Sequence, residues 1–298
     1  MSLAEAEHGA AGASAVRVLD PWPPQPAREA LAALEQGAVL FMPKLAFEVR
    51  PEERPLLDPA VLDGKSKNLS YDGAAGKVGG SRLDPAREAL AAGLLSRFSD
   101  WAESLVLALA PGYREALQRG RTSLRPCEVE NRALSPRKDD RRLHVDSFAS
   151  RPVQGRRILR VFANVDPDGA ARTWRIGEPF EAYAGRFLPR ARRPSGLSNA
   201  AHQLLGLTKG RRTGYDALML ALHDLGKADD SYQTTGPEER FDFPSGSSWI
   251  VFTDSTVHAA IAGKCALEQT FYLPVEAMDD PGRSPLRILE RKVGRPLV

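Results

Sequence analysis

The chain has 298 residues, of which 42% are hydrophobic and 27% charged, and its net charge of +3 disfavours nucleic-acid binding through overall positive charge. Its two distant cysteines, Cys127 and Cys265, do not make a disulfide framework. No apolar run reaches the roughly 20 residues of a membrane-spanning helix, and the first residues lack the apolar segment of a secretion signal, so we expect a soluble cytoplasmic protein.

The first 120 residues are predicted to be mostly helix and loop. Residues 1–20 are largely Ala, Gly and Glu without periodicity, which predicts a disordered N-terminus. "PAREALAALEQ" (26–36) predicts a short helix opened by proline, and "AVLFMP" (38–43) predicts a buried strand. Turn residues over 49–80 predict a long ordered loop, whereas residues 84–120 form the strongest helical tract, divided by a Pro-Gly pair.

After Gly120 the pattern changes to short β-type runs separated by turn signals, which is typical of a sandwich or barrel. These runs are 121–130, 156–165, 171–178, 240–244, 247–254 and 265–274. A helical stretch over about 179–226 interrupts them. We therefore expect a mostly β protein with added helices. Its single domain (21–298) would contain an N-terminal part (21–120), a β core (121–277) and a C-terminal tail (278–298).

The stretch "RRLHVDSFASRP" (141–152) contains a candidate metal site. On a strand, His144 and Asp146 point to the same face because the side-chain period is two. His258, in the connection of a later predicted hairpin, is the candidate third ligand. Two histidines and one carboxylate form the facial triad of non-heme Fe(II) oxygenases. The alternative for His258 is a core or turn histidine bonded to a backbone carbonyl. The other histidines, His8, His202 and His223, are weaker candidates.

Three longer segments resemble a known family, the Kdo 3-hydroxylases. They are "DDRRLHVDSFASRPVQGRRILRVFANVDPDGAARTWRIGEPFE", "LLDPAVLDGKSKNLSYDGAAGKVGG" and "WIVFTDSTVHAAIAGKCALEQTFYLP". The resemblance covers about residues 27–275. It implies a double-stranded β-helix (jelly-roll) core and a dioxygenase that uses Fe(II), 2-oxoglutarate and O2. It also implies His144, Asp146 and His258 as ligands, and hydroxylation of C3 of the Kdo sugar in Kdo2-lipid A, giving the Ko sugar.

The sequence departs from the wider 2-oxoglutarate oxygenase pattern after the distal histidine. The following strand, "CALEQTFYLP", has no Arg or Lys to hold the far carboxylate of 2-oxoglutarate. Alternation along "RILRVFANV" places Arg160 among apolar residues, and a buried guanidinium needs an anionic partner. We therefore predict that Arg160 binds this carboxylate, with Arg125 as the next candidate. The alternative is a structural ion pair between Arg160 and a buried Asp or Glu.

The strand "ARTWRIGE" places Arg172 and Trp174 on one face, opposite Thr173 and Arg175. The resembling family carries the same Arg-X-Trp pattern, and an arginine beside an indole suits a sugar acid. Arg172 and Trp174 are therefore predicted to bind substrate. The alternative is a core tryptophan and a surface arginine.

Two other functions remain open at this stage. One is a 2-oxoglutarate-dependent hydroxylase of another carbohydrate, lipid or protein. The other is a jelly-roll carbohydrate-binding protein without catalysis. The arginine-rich "GRFLPRARRPSG" lacks interleaved aromatic residues, so nucleic-acid binding is disfavoured. Because the implied substrate is an anionic lipid, these arginines could instead contact the cytoplasmic face of the inner membrane. The sequence does not indicate an oligomeric state.

Overall fold

The computed structural model describes residues 14–129, 135–191 and 211–298. Within these ranges the strands are β1 (Val16–Val18), β2 (Val39–Met42), β3 (Leu69–Asp72), β4 (Lys77–Gly79), β5 (Gln118–Arg125), β6 (Arg157–Asn164), β7 (Arg172–Pro179), β8 (Glu238–Phe243), β9 (Ser248–Phe252), β10 (Thr256–Ala262) and β11 (Ala266–Leu273). The α-helices are α1 (Ala27–Glu35), α2 (Pro85–Leu109), α3 (Phe180–Phe187), α4 (Gly214–Ala228), α5 (Asp230–Thr235) and α6 (Pro285–Val293). The protein is therefore mostly β with added helices, which confirms the predicted fold class.

The strands form two sheets that pack against each other. The larger sheet has the order β1-β2-β9-β6-β11-β5-β3-β4, and the smaller has the order β10-β7-β8. Aromatic side chains join the two sheets, with Phe162 and Trp249 of the larger sheet contacting Trp174 and Phe243 of the smaller one. These large apolar rings hold the sheets face to face at the end where the candidate ligands lie.

Strand β6 lies at the centre of the larger sheet, between β9 and β11, and all of its residues are buried. Leu159 and Val161 join the main hydrophobic core, which also contains side chains of the helices. Arg160 and Phe162 line a cavity on the other face. The predicted alternation along β6 is therefore confirmed for these residues, and it places the buried Arg160 side chain in the wall of the cavity.

The N-terminal predictions are partly wrong. Residues 1–13 lie outside the described residues, but the expected disorder does not extend to residue 20. Val16–Val18 form an edge strand that pairs in parallel with β2, and Val16 is buried. The strand has only three residues, too few for a periodic signal. The expected loop over 49–80 contains two 3-10 helices in its first half and the β3–β4 hairpin in its second.

Two further boundaries differ from the sequence prediction. The helical tract ends at Leu109, and the residues from Gln118 onward form β5, paired with β11 and β3. The expected C-terminal tail contains α6, which buries Leu286 and Leu289 in the main core. The predicted helical stretch contains α3 and α4, and its residues 192–210 lie outside the described part of the chain. The single domain over residues 21–298 stays a prediction.

Candidate metal centre

The structure brings together the three side chains that the sequence selects as ligands. His144, Asp146 and His258 are all buried, and one potential ligand atom from each lies within 4.8 Å of the others. His258 lies within β10, not in a connection, and β10 itself was missed in the sequence. His144 and Asp146 lie in an extended segment outside the regular strands, where His144 forms an isolated β-bridge with His258.

Backbone hydrogen bonds fix the two ligand segments to each other. The His144 N–H donates to the His258 carbonyl at 3.0 Å, and the His258 N–H donates to the His144 carbonyl at 2.9 Å. The Asp146 N–H donates to the Thr253 carbonyl at 2.8 Å. Buried Gln233 of α5 bonds both the N–H and the carbonyl of Leu143, the residue before His144. The ligand segment is therefore held by β10 on one side and by the helices on the other.

Each histidine ring is oriented by a backbone carbonyl two residues before it. His144 Nδ1 lies 2.7 Å from the Arg142 carbonyl oxygen, and His258 Nδ1 lies 2.8 Å from that of Thr256. A carbonyl only accepts, so both Nδ1 atoms carry the proton and both Nε2 atoms keep a free lone pair. Burial is the main cause that lowers the pKa of each ring, which favours the neutral form that binds metals. His258 is therefore bonded to a backbone carbonyl, as the alternative for this residue expected, but the bond leaves its Nε2 atom available to a metal ion.

Asp146 supplies the negative charge of the cluster. Burial alone would raise its pKa, but the nearby Arg160 and then the two histidines lower it below its usual value, so the carboxyl is ionised. Its Oδ2 atom lies 3.0 Å from Arg160 Nη2 in a contact that lacks hydrogen-bond geometry. A buried carboxylate oxygen without a full hydrogen bond, next to two free imidazole nitrogens, fits a divalent metal ion.

Arg160 belongs to a buried ionic chain that runs away from Asp146. Its other terminal nitrogen, Nη1, lies 3.0 Å from Glu268 Oε1, and the Arg125 guanidinium lies 2.7 Å from Glu268 Oε2. Burial raises the pKa of Glu268, but Arg125 and then Arg160 outweigh it, so this carboxyl is also ionised. The structural ion pair considered as the alternative for Arg160 therefore exists in the protein. Binding of 2-oxoglutarate by Arg160 or Arg125 stays a prediction.

Arg172 and Trp174 share one face of β7 and both line the cavity of the triad, as the alternation predicts. Trp174 is stacked against the His258 ring, with centroids 5.1 Å apart. It is also only 2% exposed and lies in the aromatic core between the sheets. Arg172 donates to the Gly263 carbonyl at 3.1 Å, and its Nε atom has no partner among the described residues. Burial, then Arg125, lowers the pKa of Arg172 to about 10, so it stays charged.

The cavity has a volume of about 380 Å³ and an excess of positive charge. Seven of the lining residues are Lys or Arg and three are Asp or Glu, so it favours anionic ligands. Two residues of α4, His223 and Lys227, also line it, although the sequence makes His223 only a weak candidate and gives no signal for Lys227. Their spacing of four places them on one helical face, but nothing in the sequence shows that this face meets the strand ligands.

Comparisons with known proteins agree with this geometry. The family model for 3-deoxy-D-manno-oct-2-ulosonic acid (Kdo) hydroxylase matches residues 20–296. A crystal structure of the Kdo hydroxylase KdoO with cobalt(II) is 44% identical, with a TM-score of 0.93, and the match covers 96% of this chain and 98% of that one. KdoO with α-ketoglutarate and Fe(III) is 43% identical, with a TM-score of 0.91, over 95% and 97% of the two chains. No protein with a curated description is significantly similar to the chain.

The jelly-roll scaffold with two histidines and one carboxylate on a single face defines a non-heme iron dioxygenase. A carbohydrate-binding protein without catalysis does not account for three converging ligands. The chain belongs to the Kdo hydroxylase family. The resemblance identified from the sequence segments is therefore confirmed.

Replacing His258 by Ala should abolish turnover and weaken Fe(II) binding by more than about 100-fold, because even the loss of a residue that only orients a ligand costs 10- to 100-fold. The fold should persist, since β10 keeps its backbone bonds. His223→Ala is the matched control, because His223 lines the same cavity beside His144 but is not among the three ligands. Anaerobic Fe(II) titration measures both variants. Near-native activity of the His258 variant would rule out its role as a ligand.

Proposed function

We propose that the protein is an Fe(II)- and 2-oxoglutarate-dependent dioxygenase that hydroxylates C3 of Kdo in Kdo2-lipid A, giving the Ko sugar. The observation that carries this proposal is a buried triad in a cation-rich cavity, in a chain of the Kdo hydroxylase family. The relatives support the cosubstrate, since KdoO is described with Fe(III) and either α-ketoglutarate or succinate. Succinate and CO2 are the products of the oxidative decarboxylation of 2-oxoglutarate, in which O2 supplies one oxygen atom to succinate.

His144 and His258 would hold the iron through Nε2 and Asp146 through a carboxylate oxygen, leaving the remaining positions for other ligands. Iron with 2-oxoglutarate and O2 supplies the oxidation that converts a C–H bond into a C–OH bond. The protein residues orient and enclose the reactants. C3 of Kdo is a saturated carbon without an acidic proton, so the reaction needs no general acid–base pair, and none is required of the charged residues around the triad.

Arg160 is the proposed partner of the far carboxylate of 2-oxoglutarate. It is buried in the cavity wall next to Asp146, and its Nε atom has no hydrogen-bond partner among the described residues. A planar guanidinium can bind a carboxylate through two parallel hydrogen bonds. Glu268 and Asp146 hold the arginine in place before the cosubstrate arrives. Arg125, on the far side of Glu268, is the second candidate for the same role.

Trp174 and Arg172 are the proposed substrate-binding residues. The Trp174 indole covers one side of the His258 ring and would pack on the apolar C–H face of the sugar while it excludes water from the metal. Arg172 stays charged and has an unpaired Nε atom, so it can pair with the acid group of Kdo. Acidic sugars are favoured over neutral ones by the excess of Lys and Arg in the cavity.

The experiment that tests the function is mass spectrometry of Kdo2-lipid A incubated with the enzyme, Fe(II), 2-oxoglutarate and O2. The proposal predicts a gain of one oxygen on the Kdo portion and a matching amount of succinate. Succinate formation without sugar oxidation would favour a 2-oxoglutarate hydroxylase with a different substrate. If neither succinate nor oxidised sugar forms, the dioxygenase assignment itself is contradicted.

We also propose peripheral contact with the cytoplasmic face of the inner membrane, because the acceptor is a lipid. No helix of the described ranges is long and apolar enough to cross a membrane. Arg190 pairs with Asp229, while Arg192 and Arg193 lie outside the described residues. Neutralising the three arginines should weaken co-sedimentation with anionic liposomes. Unchanged co-sedimentation would show that these arginines do not contribute to membrane binding.

Replacing Arg160 by Ala should raise the concentration of 2-oxoglutarate needed for half-maximal rate by about 10- to 150-fold, the range for a lost charge-assisted contact. The requirement for Kdo2-lipid A should change much less. Arg240→Ala, which removes an arginine from the exposed part of β8, is the control and should behave like wild type. Because Arg160 contacts Asp146, Fe(II) affinity must be measured in parallel. An unchanged 2-oxoglutarate dependence would transfer the role to Arg125.

Replacing Arg172 by Ala should leave slow decarboxylation of 2-oxoglutarate but abolish sugar hydroxylation, since the cosubstrate still binds while the sugar is not held. Arg175→Ala on the opposite face of β7 is the control. It pairs with Glu238 outside the cavity and should keep one hydroxylation per succinate. Parallel assays of succinate and hydroxylated lipid measure this ratio. Coupled turnover by the Arg172 variant would contradict the substrate role.

Trp174 requires a milder substitution. From the sequence, Trp174 is either a site residue or a core residue, but the structure places it in both environments. Trp174→Ala should therefore cost about 3–5 kcal/mol of stability, as core truncations do. Trp174→Phe should retain most of the stability and still lower the ratio of hydroxylated sugar to succinate. A normal ratio in the Phe variant would leave Trp174 with a structural role only.

A further inference from the structure

One buried cation in the cavity has too few partners. The Lys227 side chain is 2% exposed, and its ammonium group has three donors. Within the described residues it forms one hydrogen bond, to the Arg137 carbonyl at 3.4 Å, and one ion pair, to Asp140 Oδ1 at 3.8 Å. Both contacts are long. A buried lysine is normally closely paired, because desolvation of an unpaired ammonium is costly.

A neighbouring lysine shows what full pairing looks like in the same cavity. The Lys67 ammonium lies 3.0 Å from Asp140 Oδ2 and 2.7 Å from the Lys138 carbonyl oxygen, and its side chain is 32% exposed. Asp140 is thus engaged closely by Lys67 and only distantly by Lys227. The pairing leaves Lys227, like Arg172, as a buried cation of the described residues with unused hydrogen-bonding capacity.

Lys227 lies close to the triad. It lines the same cavity as His144, Asp146 and His258. Besides burial, its positive charge contributes to the lowered pKa of both histidines. Burial lowers the pKa of Lys227 itself, while Asp140 and then Asp146 act to raise it. The side chain reaches the cavity from α4, whereas Arg172 reaches it from β7. The two cations therefore approach the cavity from the helical side and from the smaller sheet.

The chemistry of the sugar requires an anion-binding group near the metal. In a 3-deoxy-oct-2-ulosonic acid the carboxyl carbon C1 is bonded to C2, and C2 is bonded to C3. When C3 faces the triad, the carboxylate is only two bonds away from the reacting carbon and therefore lies close to the cavity wall. It therefore needs cationic partners inside the cavity, next to the triad.

We propose that the Lys227 ammonium binds the carboxylate of the Kdo unit whose C3 reacts, from the helical side of the cavity, and thereby sets which carbon faces the metal. A carboxylate accepts several hydrogen bonds, so Arg172 can bind it at the same time. The proposal rests on the proposed function, since it takes the substrate to be a Kdo glycolipid. It adds a specificity-determining residue that discriminates acidic from neutral sugars.

The test removes the negative charge from the ligand and, separately, the positive charge from the protein, and measures binding affinity in each case. Enzyme loaded with Co(II), which prevents turnover, is titrated with Kdo2-lipid A in detergent micelles, with its Kdo carboxylates free or converted to methyl esters. Tryptophan fluorescence measures the affinity. Wild type should bind the free acid about 10- to 100-fold more tightly than the ester, as expected for a charge-assisted contact in a buried site. Lys227→Met should lose most of this preference, with the remainder due to Arg172, while its affinity for the ester stays unchanged.

Lys67→Met is the matched control, because it removes the same charge from the same cavity but from an ammonium that is already paired. It should retain the preference for the acid, and Lys227→Arg should retain part of it. An equal loss in the Lys67 variant would assign the effect to overall charge and overturn the proposal. So would an undiminished preference in Lys227→Met. If that variant does not fold, absence of any preference in wild type overturns the proposal equally.

Two further outcomes separate this proposal from others. If Lys227→Met weakens 2-oxoglutarate binding and leaves glycolipid binding unchanged, the cation serves the cosubstrate and the proposal is wrong. If wild type neither binds Kdo2-lipid A nor adds oxygen to it, the proposed function fails and this inference fails with it. Normal hydroxylation by Lys227→Met with wild-type affinity for the acid would overturn only the role of Lys227.

Discussion

The reciprocal backbone hydrogen bonds between His144 and His258 are the interaction on which the site depends. They join two segments that are far apart in the sequence and place both imidazoles on the same side of the smaller sheet. The carbonyls of Arg142 and Thr256 then fix each ring with Nδ1 protonated and Nε2 free. Because these hydrogen bonds do not involve an ion, both imidazoles are oriented before any ion binds, and the reorganisation required of them for binding is small.

The second constraint is charge balance inside the protein. Asp146, Arg160, Glu268 and Arg125 alternate in sign along one buried chain of contacts. Each acid is kept ionised by an arginine beside it, so the ligand carboxylate is ready for a cation without a pKa change. Arg172 and Lys227 lie outside this chain of ion pairs. These two less closely paired cations make the cavity receptive to acidic ligands, and they distinguish it from a purely structural ionic network.

Much of the site could be predicted from the sequence, and the reasons for success and failure are physical. The period of two on a strand is strict, so Arg160 with Phe162 and Arg172 with Trp174 were placed on common faces from the letters alone. His-X-Asp alone is a weak motif, and the ligands were selected because a later histidine completes a facial triad and the family resemblance is far more specific than the motif. For Arg160 the sequence predicts an acidic partner but not which residue it is, because the partner depends on which strands become neighbours.

Other features depend on tertiary packing that a local pattern does not contain. Strand β10 was missed because its sequence, "TVHAAIA", consists largely of small residues around His258 and shows no alternation of polar and apolar side chains. The sequence does not reveal that His223 and Lys227 of α4 line the cavity, because the side of the core on which a helix packs depends on the tertiary fold. Strand β1 is too short to be detected and forms only because β2 offers an edge.

The most direct test of the central claim is the visible absorption of the protein with Fe(II) and 2-oxoglutarate under anaerobic conditions. A preformed two-histidine, one-carboxylate face with open positions predicts a weak metal-to-ligand charge-transfer band that saturates at one iron per chain. It should appear only when both components are present. A sample that binds iron but stays colourless on addition of 2-oxoglutarate would contradict the account.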